Sequence, residues 1–185
     1  YTLQGQLMGE YHDNGQPIVE YIYWNNQPLA QIRNQAVYYY HNDHLGTPAA
    51  LTNAAQETVW QADYTAFGEA SMIVEQVEQN LRFAGQYFDE ETGLHYNWNR
   101  YYDPSLGRYT QSDRLGLFDG PNTYTYVYNN PLTYTDPTGE FGLPGAAIGG
   151  VIGGVSAFTG ALATGASLGD AAIAGAVGAG TGALI

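Results

Sequence analysis

The run His12-Asp13-Asn14-Gly15-Gln16-Pro17-Ile18-Val19-Glu20-Tyr21-Ile22-Tyr23-Trp24-Asn25-Asn26-Gln27-Pro28 decides the fold class. Pro17–Trp24 reads as an alternating, β-branched and aromatic stretch, the pattern of a strand that buries one face. Turn formers bracket it. His12–Gly15 ends in Asn-Gly, the strongest short hairpin signal, because a type I′ turn wants positive φ at both central residues. Asn25–Pro28 makes the next turn. The same grammar extends upstream to an alternating Tyr1–Tyr11. Downstream it gives a strand pair within Leu29–Tyr40 and strands at Ala49–Thr52 and Glu57–Tyr64.

Two stretches stay open between classes. In Ala70–Arg82 the residues Met72, Val74, Val77 and Leu81 fit helical spacing better than alternation. Asn122–Tyr128 alternates like a strand, yet also suits one capped helical turn. A loose repeat runs through the chain: Tyr-x-x-x-Gly at Tyr1/Gly5 and Tyr11/Gly15, then aromatic-Asp-x-x-x-Gly at Phe88-Asp89/Gly93 and Tyr102-Asp103/Gly107. Repeats closed by a turn glycine predict stacked hairpins in a long curling sheet, since one unit cannot bury its own apolar face.

Composition narrows the chemistry. With no Cys, disulfides, thiol catalysis and zinc-finger sites are excluded. There is no Lys, and the net charge of −13 excludes a nucleic-acid groove, which needs clustered basic residues. Seventeen Tyr suit half-buried strands. No Gly-x-Ser-x-Gly elbow, phosphate loop or dinucleotide fingerprint occurs. His41, Asp43 and His44 include a His-x-x-His arm, but no further ligand is spaced to complete a metal site. No cofactor or metal is expected. Tyr1 in place of a start Met, with no signal stretch, fits a piece of a longer protein.

From residue 141 the composition changes to Gly, Ala and aliphatics, with Asp170 the sole charge. Small residues four apart, such as Gly145, Gly149 and Gly153, predict close-packed helices over 147–164 and 170–184. Gly145–Gly169 is uncharged and long enough to span a bilayer, though poor in Leu and Ile. Packing within a protein shell and contact with a target membrane through 145–185 both remain open.

The stretch His41-Asn42-Asp43-His44-Leu45-Gly46-Thr47-Pro48 resembles a segment of Rhs proteins. In order behind it come Asp63-Tyr64-x-x-Phe67-Gly68, Arg82-Phe83-x-Gly85-Gln86-Tyr87-Phe88-Asp89, Arg100-Tyr101-Tyr102-Asp103-Pro104, Asn129-Asn130-Pro131 and Asp136-Pro137-x-Gly139. The likeness covers about residues 36–140, with YD-like repeats before it. It implies a mostly β fold: a curled sheet of YD repeats and Rhs core that closes a hollow shell, followed here by the Gly/Ala-rich α-helical hairpin. The implied division is 1–35 YD-repeat strands, 36–140 Rhs core, and 141–185 the start of a C-terminal toxin region.

The implied job is to enclose that toxin in cis and to cut the chain beside it. The implied partners are the N-terminal remainder of the shell and a secretion-system spike or a toxin-complex B-type subunit. The implied route is from the bacterial cytoplasm to secreted or cell-surface delivery.

The same resemblance picks out an aspartate pair. The boxes here are Asp113-Arg114-Leu115-Gly116-Leu117 and Asp136-Pro137-Thr138-Gly139-Glu140-Phe141. They depart from the family pattern at Arg114, where it has Pro, and at Glu140-Phe141, where it has Leu. Two carboxylates held close share a proton, so one can activate water while the other polarises a carbonyl. The family offset puts the cut at Glu140–Phe141, give or take one bond. A guanidinium from Arg114 beside Asp113 would favour its ionised form, and Arg108 could orient a carboxylate or stabilise an oxyanion. Against this stand the turn-capping habits of Asp-Pro and Asp-x-x-Gly. Two alternatives follow: a non-cleaving cell-surface protein whose tyrosines bind carbohydrate or a partner, and a membrane-inserting effector in 141–185.

Overall fold

The computed structural model describes residues 1–2, 5–140 and 143–144. The expected helices over 147–164 and 170–184 lie outside the described residues, as does Phe141. Residues 1–145 form one compact unit.

Seven antiparallel strands follow one another in a meander: β1 (Gly9–Tyr11), β2 (Pro17–Trp24), β3 (Gln27–Arg33), β4 (Ala36–Asn42), β5 (Pro48–Thr52), β6 (Thr58–Tyr64) and β7 (Ala70–Glu75). The first strand is shorter than Tyr1–Tyr11: Gly5 takes φ +79, and the Thr2 N–H donates to the Gln6 carbonyl. β7 settles Ala70–Glu75, the first part of Ala70–Arg82, as a strand rather than a helix. It pairs with β6 in register Asp63↔Ser71 and Ala62↔Met72, so tertiary pairing overrides the weak helical spacing.

A common turn recurs along this sheet, and one instance falls at the Tyr11/Gly15 member of the sequence repeat. At residues 12, 43, 53 and 65 the backbone N–H bonds to the carbonyl four residues on, and the N–H three residues on bonds back. The third residue after each has positive φ: Gly15, Gly46, Gln56 and Gly68. Asp43, Asn53 and Thr65 add a side-chain oxygen that accepts a loop N–H. At Asn14-Gly15, therefore, only the glycine has positive φ, and the loop is wider than a type I′ turn. True pairs of positive φ occur at Asn25-Asn26 and Asn34-Gln35, which close the two tight hairpins of β2–β3 and β3–β4.

One face of this sheet buries Val19, Tyr21, Tyr40, Leu51, Val59 and Trp60, with Val77 and Leu81 packed on them from the segment after β7. The Trp60 side chain is fully buried and, among the described residues, its indole N–H has no hydrogen-bond partner, so its contribution is packing. Trp60→Ala is therefore expected to cost about 3–5 kcal/mol, and Trp60→Phe clearly less. Urea unfolding of both variants measures the difference. Equal losses would mean that the indole N–H matters after all.

A second sheet, in the order β11-β10-β9-β8, is built from β8 (Tyr87–Asp89), β9 (Leu94–Asn97), β10 (Arg100–Asp103) and β11 (Arg108–Tyr109). The β8–β9 and β10–β11 hairpins close where Asp89 and Asp103 accept loop N–H groups and Gly93 and Gly107 take positive φ. Phe83, Tyr102, Tyr109, Tyr126 and Val127 make its core, with the Tyr102 and Tyr126 rings 4.6 Å apart. Asn122–Tyr128 proves to be neither a strand nor a helix throughout. Thr125 bridges to Arg108, and a 3-10 turn follows at Val127–Asn129. Last, β12 (Tyr134–Thr135) pairs antiparallel with β13 (Leu143–Pro144).

Candidate functional site: two aspartates on one guanidinium

Asp113 and Asp136 each sit at the start of a turn and use their two oxygens differently. Asp113 follows β11, where its N–H donates to the Thr123 carbonyl at 2.9 Å. Its Oδ1 accepts the Leu115 N–H at 2.7 Å, which caps the Asp-Arg-Leu-Gly turn. Its Oδ2 lies 2.9 Å from Arg100 Nη2. Asp136 follows β12. Its Oδ1 accepts the Thr138 and Glu140 N–H groups at 3.3 and 3.1 Å, and its Oδ2 accepts the Tyr109 hydroxyl at 2.6 Å and lies 3.4 Å from the same Arg100 Nη2. Turn capping and an inward-facing carboxylate are thus not exclusive: Oδ1 serves the turn and Oδ2 serves the pair. The two Oδ2 atoms share one guanidinium nitrogen.

Arg100 is the organiser. Besides the two carboxylates, its Nη1 donates to the Thr123 carbonyl at 3.1 Å and its Nε to the Gly139 carbonyl. The guanidinium lies over the Tyr109 ring, 3.6 Å from its centroid. The β9–β10 turn cradles the second aspartate box. Asn97 Nδ2 donates to the Asp136 carbonyl at 2.9 Å and to the Tyr109 hydroxyl at 2.8 Å, and Asn99 Nδ2 donates to the Thr138 carbonyl at 2.9 Å. Gly139 has φ +68, and a Cβ there would stand 2.3 Å from the Asn97 carbonyl oxygen, so only glycine lets the two turns approach this closely. The peptide Gly139–Glu140 is consequently held at both ends, its carbonyl by Arg100 and its N–H by Asp136.

The structure brings Asp113, Asp136 and Glu140 together and leaves Arg108 apart. Strand alternation is the reason. Arg100, Tyr102 and Tyr109 point inward, so Arg108, next to Tyr109, points out and lies over the Tyr124 ring at 5.4 Å. Arg114 does not pair with the Asp113 carboxylate either. It is an exposed side chain that pairs at 2.7 Å with the buried Glu140. Sequence reasoning missed Arg100, Asn97, Asn99 and Tyr109 as site residues. The inward alternation of Arg100 with Tyr102 was the available signal. His41 and His44 diverge, to Thr52 Oγ1 and to the Leu132 carbonyl, while Asp43 caps its own turn.

Burial pushes the Asp136 carboxyl up to about 6, against the opposing pull of the Tyr109 hydroxyl, Arg100 and the N–H groups of Glu140 and Thr138. Elsewhere in the unit, burial and then the nearby Arg82 push His95 down to about 3. The two set opposite slopes of stability with pH. Asp136, raised from 3.8, contributes fully below that ordinary value, and its contribution is lost as pH rises toward 6. His95, lowered from 6.5, contributes fully above that value and loses its contribution as pH falls toward 3. Between about pH 4 and 6 they offset. Asp136→Asn removes one arm, so on acidification through that window the variant should lose about 1.4 kcal/mol per pH unit more than the parent. Urea unfolding at several pH values reads this directly. Parallel curves would mean that Asp136 titrates like an exposed carboxylate.

Residues 37–72, spanning β4 to early β7, match the family model described as RHS protein. The chain is 40% identical over 115 residues to double-stranded DNA deaminase toxin A of Burkholderia cenocepacia, covering 60% of this chain and 8% of that protein. It is 38% identical over 134 residues to toxin protein Tse5 of Pseudomonas aeruginosa, covering 72% of this chain and 10% of that one. Among solved structures, the TcdB2-TccC3-Cdc42 crystal structure superposes with a TM-score of 0.58 at 26% identity, over 66% of this chain and 6% of the other. The chain therefore spans a tenth or less of these much longer proteins. A mostly β fold shared with that structure, an RHS match within its first sheet and toxin relatives over most of its length make this chain a member of the Rhs family.

Proposed function

We propose that the chain is the closing part of a toxin-delivery shell and that its aspartate pair cuts the polypeptide just after the Asp136 turn. The observation that carries this is the placement of both Oδ2 atoms on Arg100 Nη2, with the Gly139–Glu140 peptide held by the same arginine and by Asp136. In this reading Asp113, paired with Arg100, takes a proton from water as the water oxygen bonds to the carbonyl carbon. Arg100 stabilises the oxyanion that forms. Asp136, whose raised pKa keeps a proton available near neutrality, delivers it to the nitrogen as the C–N bond breaks. The products are a new carboxyl terminus and a free amine. The piece set free would be the toxin region that begins with 141–185, enclosed by the shell until delivery from the producing bacterium. The names of the toxin relatives support that role.

The family offset puts the cut at Glu140–Phe141, while the hydrogen bonds favour Gly139–Glu140, one bond earlier. Expressing the full-length parent protein, sizing it under denaturing conditions and sequencing the N-terminus of the smaller piece decides between Phe141 and Glu140 as its first residue. A single uncut band removes the self-cleavage reading. A non-cleaving scaffold is the second reading, favoured by the fact that Asp136 Oδ1 already serves its own turn.

A further inference from the structure

Glu140 is a buried carboxylate at the point where the chain leaves the aspartate pair, with only 2% of its surface exposed. Its backbone N–H is fixed on Asp136 Oδ1 at 3.1 Å, and its side chain is fixed on Arg114 Nη2 at 2.7 Å. Arg114 belongs to the first aspartate turn, next to Asp113, and its side chain is 68% exposed, so it reaches Glu140 from the solvent side. The two aspartate turns, 113–116 and 136–140, are therefore tied by side-chain ion pairs at two places among the described residues. Arg100 ties the carboxylates, and Arg114 ties the residue that flanks the held peptide. A buried glutamate without a counter-charge is costly, so the site accepts an acidic residue here because Arg114 is present.

We propose that Arg114 is the specificity residue of the self-cleavage. It selects an acidic side chain at position 140 and, through it, sets the flanking peptide against Asp113 and Asp136. This rests on the self-cleavage reading and names what that site takes as its substrate: a chain with a carboxylate at 140. Arg114 acts through Glu140 and does not touch the reacting atoms, so it is a positioning residue.

The test uses the full-length parent protein made by cell-free synthesis, so that the cut fraction can be followed from the start. Four chains are compared: the parent, Arg114→Glu, Glu140→Arg and the double charge swap. Glu140→Gln serves as the mild variant that keeps the side-chain shape. Each single reversal is expected to slow cutting roughly tenfold, the coupling typical of contacting charged residues, and the swap to restore most of the rate. Glu140→Gln should fall between. A residue that mattered only for folding would not be rescued by reversing both charges.

If the parent cuts and the single variants cut as fast, selection by Arg114 is wrong and self-cleavage stands. If the singles are slow and the swap is equally slow, the proposal is also overturned, because the sites then fail independently. If the parent itself never cuts, the self-cleavage reading and this proposal fall together.

Discussion

Asp136→Asn in the full-length parent protein is expected to leave one uncut chain where the parent gives two pieces. The substitution keeps the outline of the side chain. An amide oxygen at Oδ1 can still accept the Thr138 and Glu140 N–H groups, so the Asp-Pro-Thr-Gly turn should survive. What is lost is the proton. Burial holds the Asp136 carboxyl at about 6, where it can carry a proton near neutral pH and give it up as a bond breaks. A carboxamide does neither. Loss of a positioned acid or base slows a reaction by about 100- to 10,000-fold, which a denaturing gel reads as disappearance of the smaller piece over hours. Asp113→Asn should do the same, and the double variant should be no slower than either single one, because the two groups act as a unit. An Asp136→Asn protein that cuts at the parental rate would end the aspartyl account. Cutting lost together with the thermal transition would point to folding instead.

The strands of both sheets were legible where their punctuation is local. Asn-Gly, Asp-x-x-x-Gly and the alternating tyrosine runs each specify a turn or a face from a few neighbouring residues, and β2 appears where the sequence puts it. Legibility failed where a neighbour distant in sequence decides. Asn34-Gln35 adopts two positive φ values without a glycine, because β3 and β4 on either side are already paired and leave a two-residue gap to close. Ala70–Glu75 is a strand because β6 offers it a ladder, whatever its own spacing prefers.

The site shows the same division. The aspartates were found by resemblance. Arg108, five residues before Asp113, lies over Tyr124 because strand alternation turns its neighbour Tyr109 inward, and it is Arg100 that reaches both carboxylates. Arg114 was expected beside Asp113, its sequence neighbour, but the side chain crosses to Glu140, twenty-six residues away along the chain. Nearness in sequence predicts backbone turns well and the direction of long side chains poorly, since a guanidinium can reach whichever buried carboxylate most needs it.

Arg100→Ala should be among the most damaging substitutions in the chain, and the reason is electrostatic before it is catalytic. The wild-type side chain supplies a counter-charge to two buried carboxylates, donors to the Gly139 and Thr123 carbonyls, and a flat cation against Tyr109. Truncation leaves Asp113 and Asp136 buried with no cation between them. Stranding buried charge in this way costs about 3–5 kcal/mol, a large share of the roughly 5–15 kcal/mol that holds a domain together. Arg100→Lys keeps a charge but not the fork, and one ammonium cannot serve both carbonyls and both carboxylates, so it should be intermediate.

Acid separates charge from packing. Without the arginine, whose pull opposes burial at Asp136, the Asp136 carboxyl moves further up, so the folded state binds more protons than the unfolded chain and its stability rises as pH falls. The deficit of Arg100→Ala relative to the parent should therefore shrink between about pH 7 and pH 4 in urea unfolding experiments, by on the order of 1–2 kcal/mol. Cutting would not recover in parallel, because the oxyanion still lacks its donor. A deficit that stays constant across that range would assign the loss to the missing stack on Tyr109 rather than to the stranded aspartates.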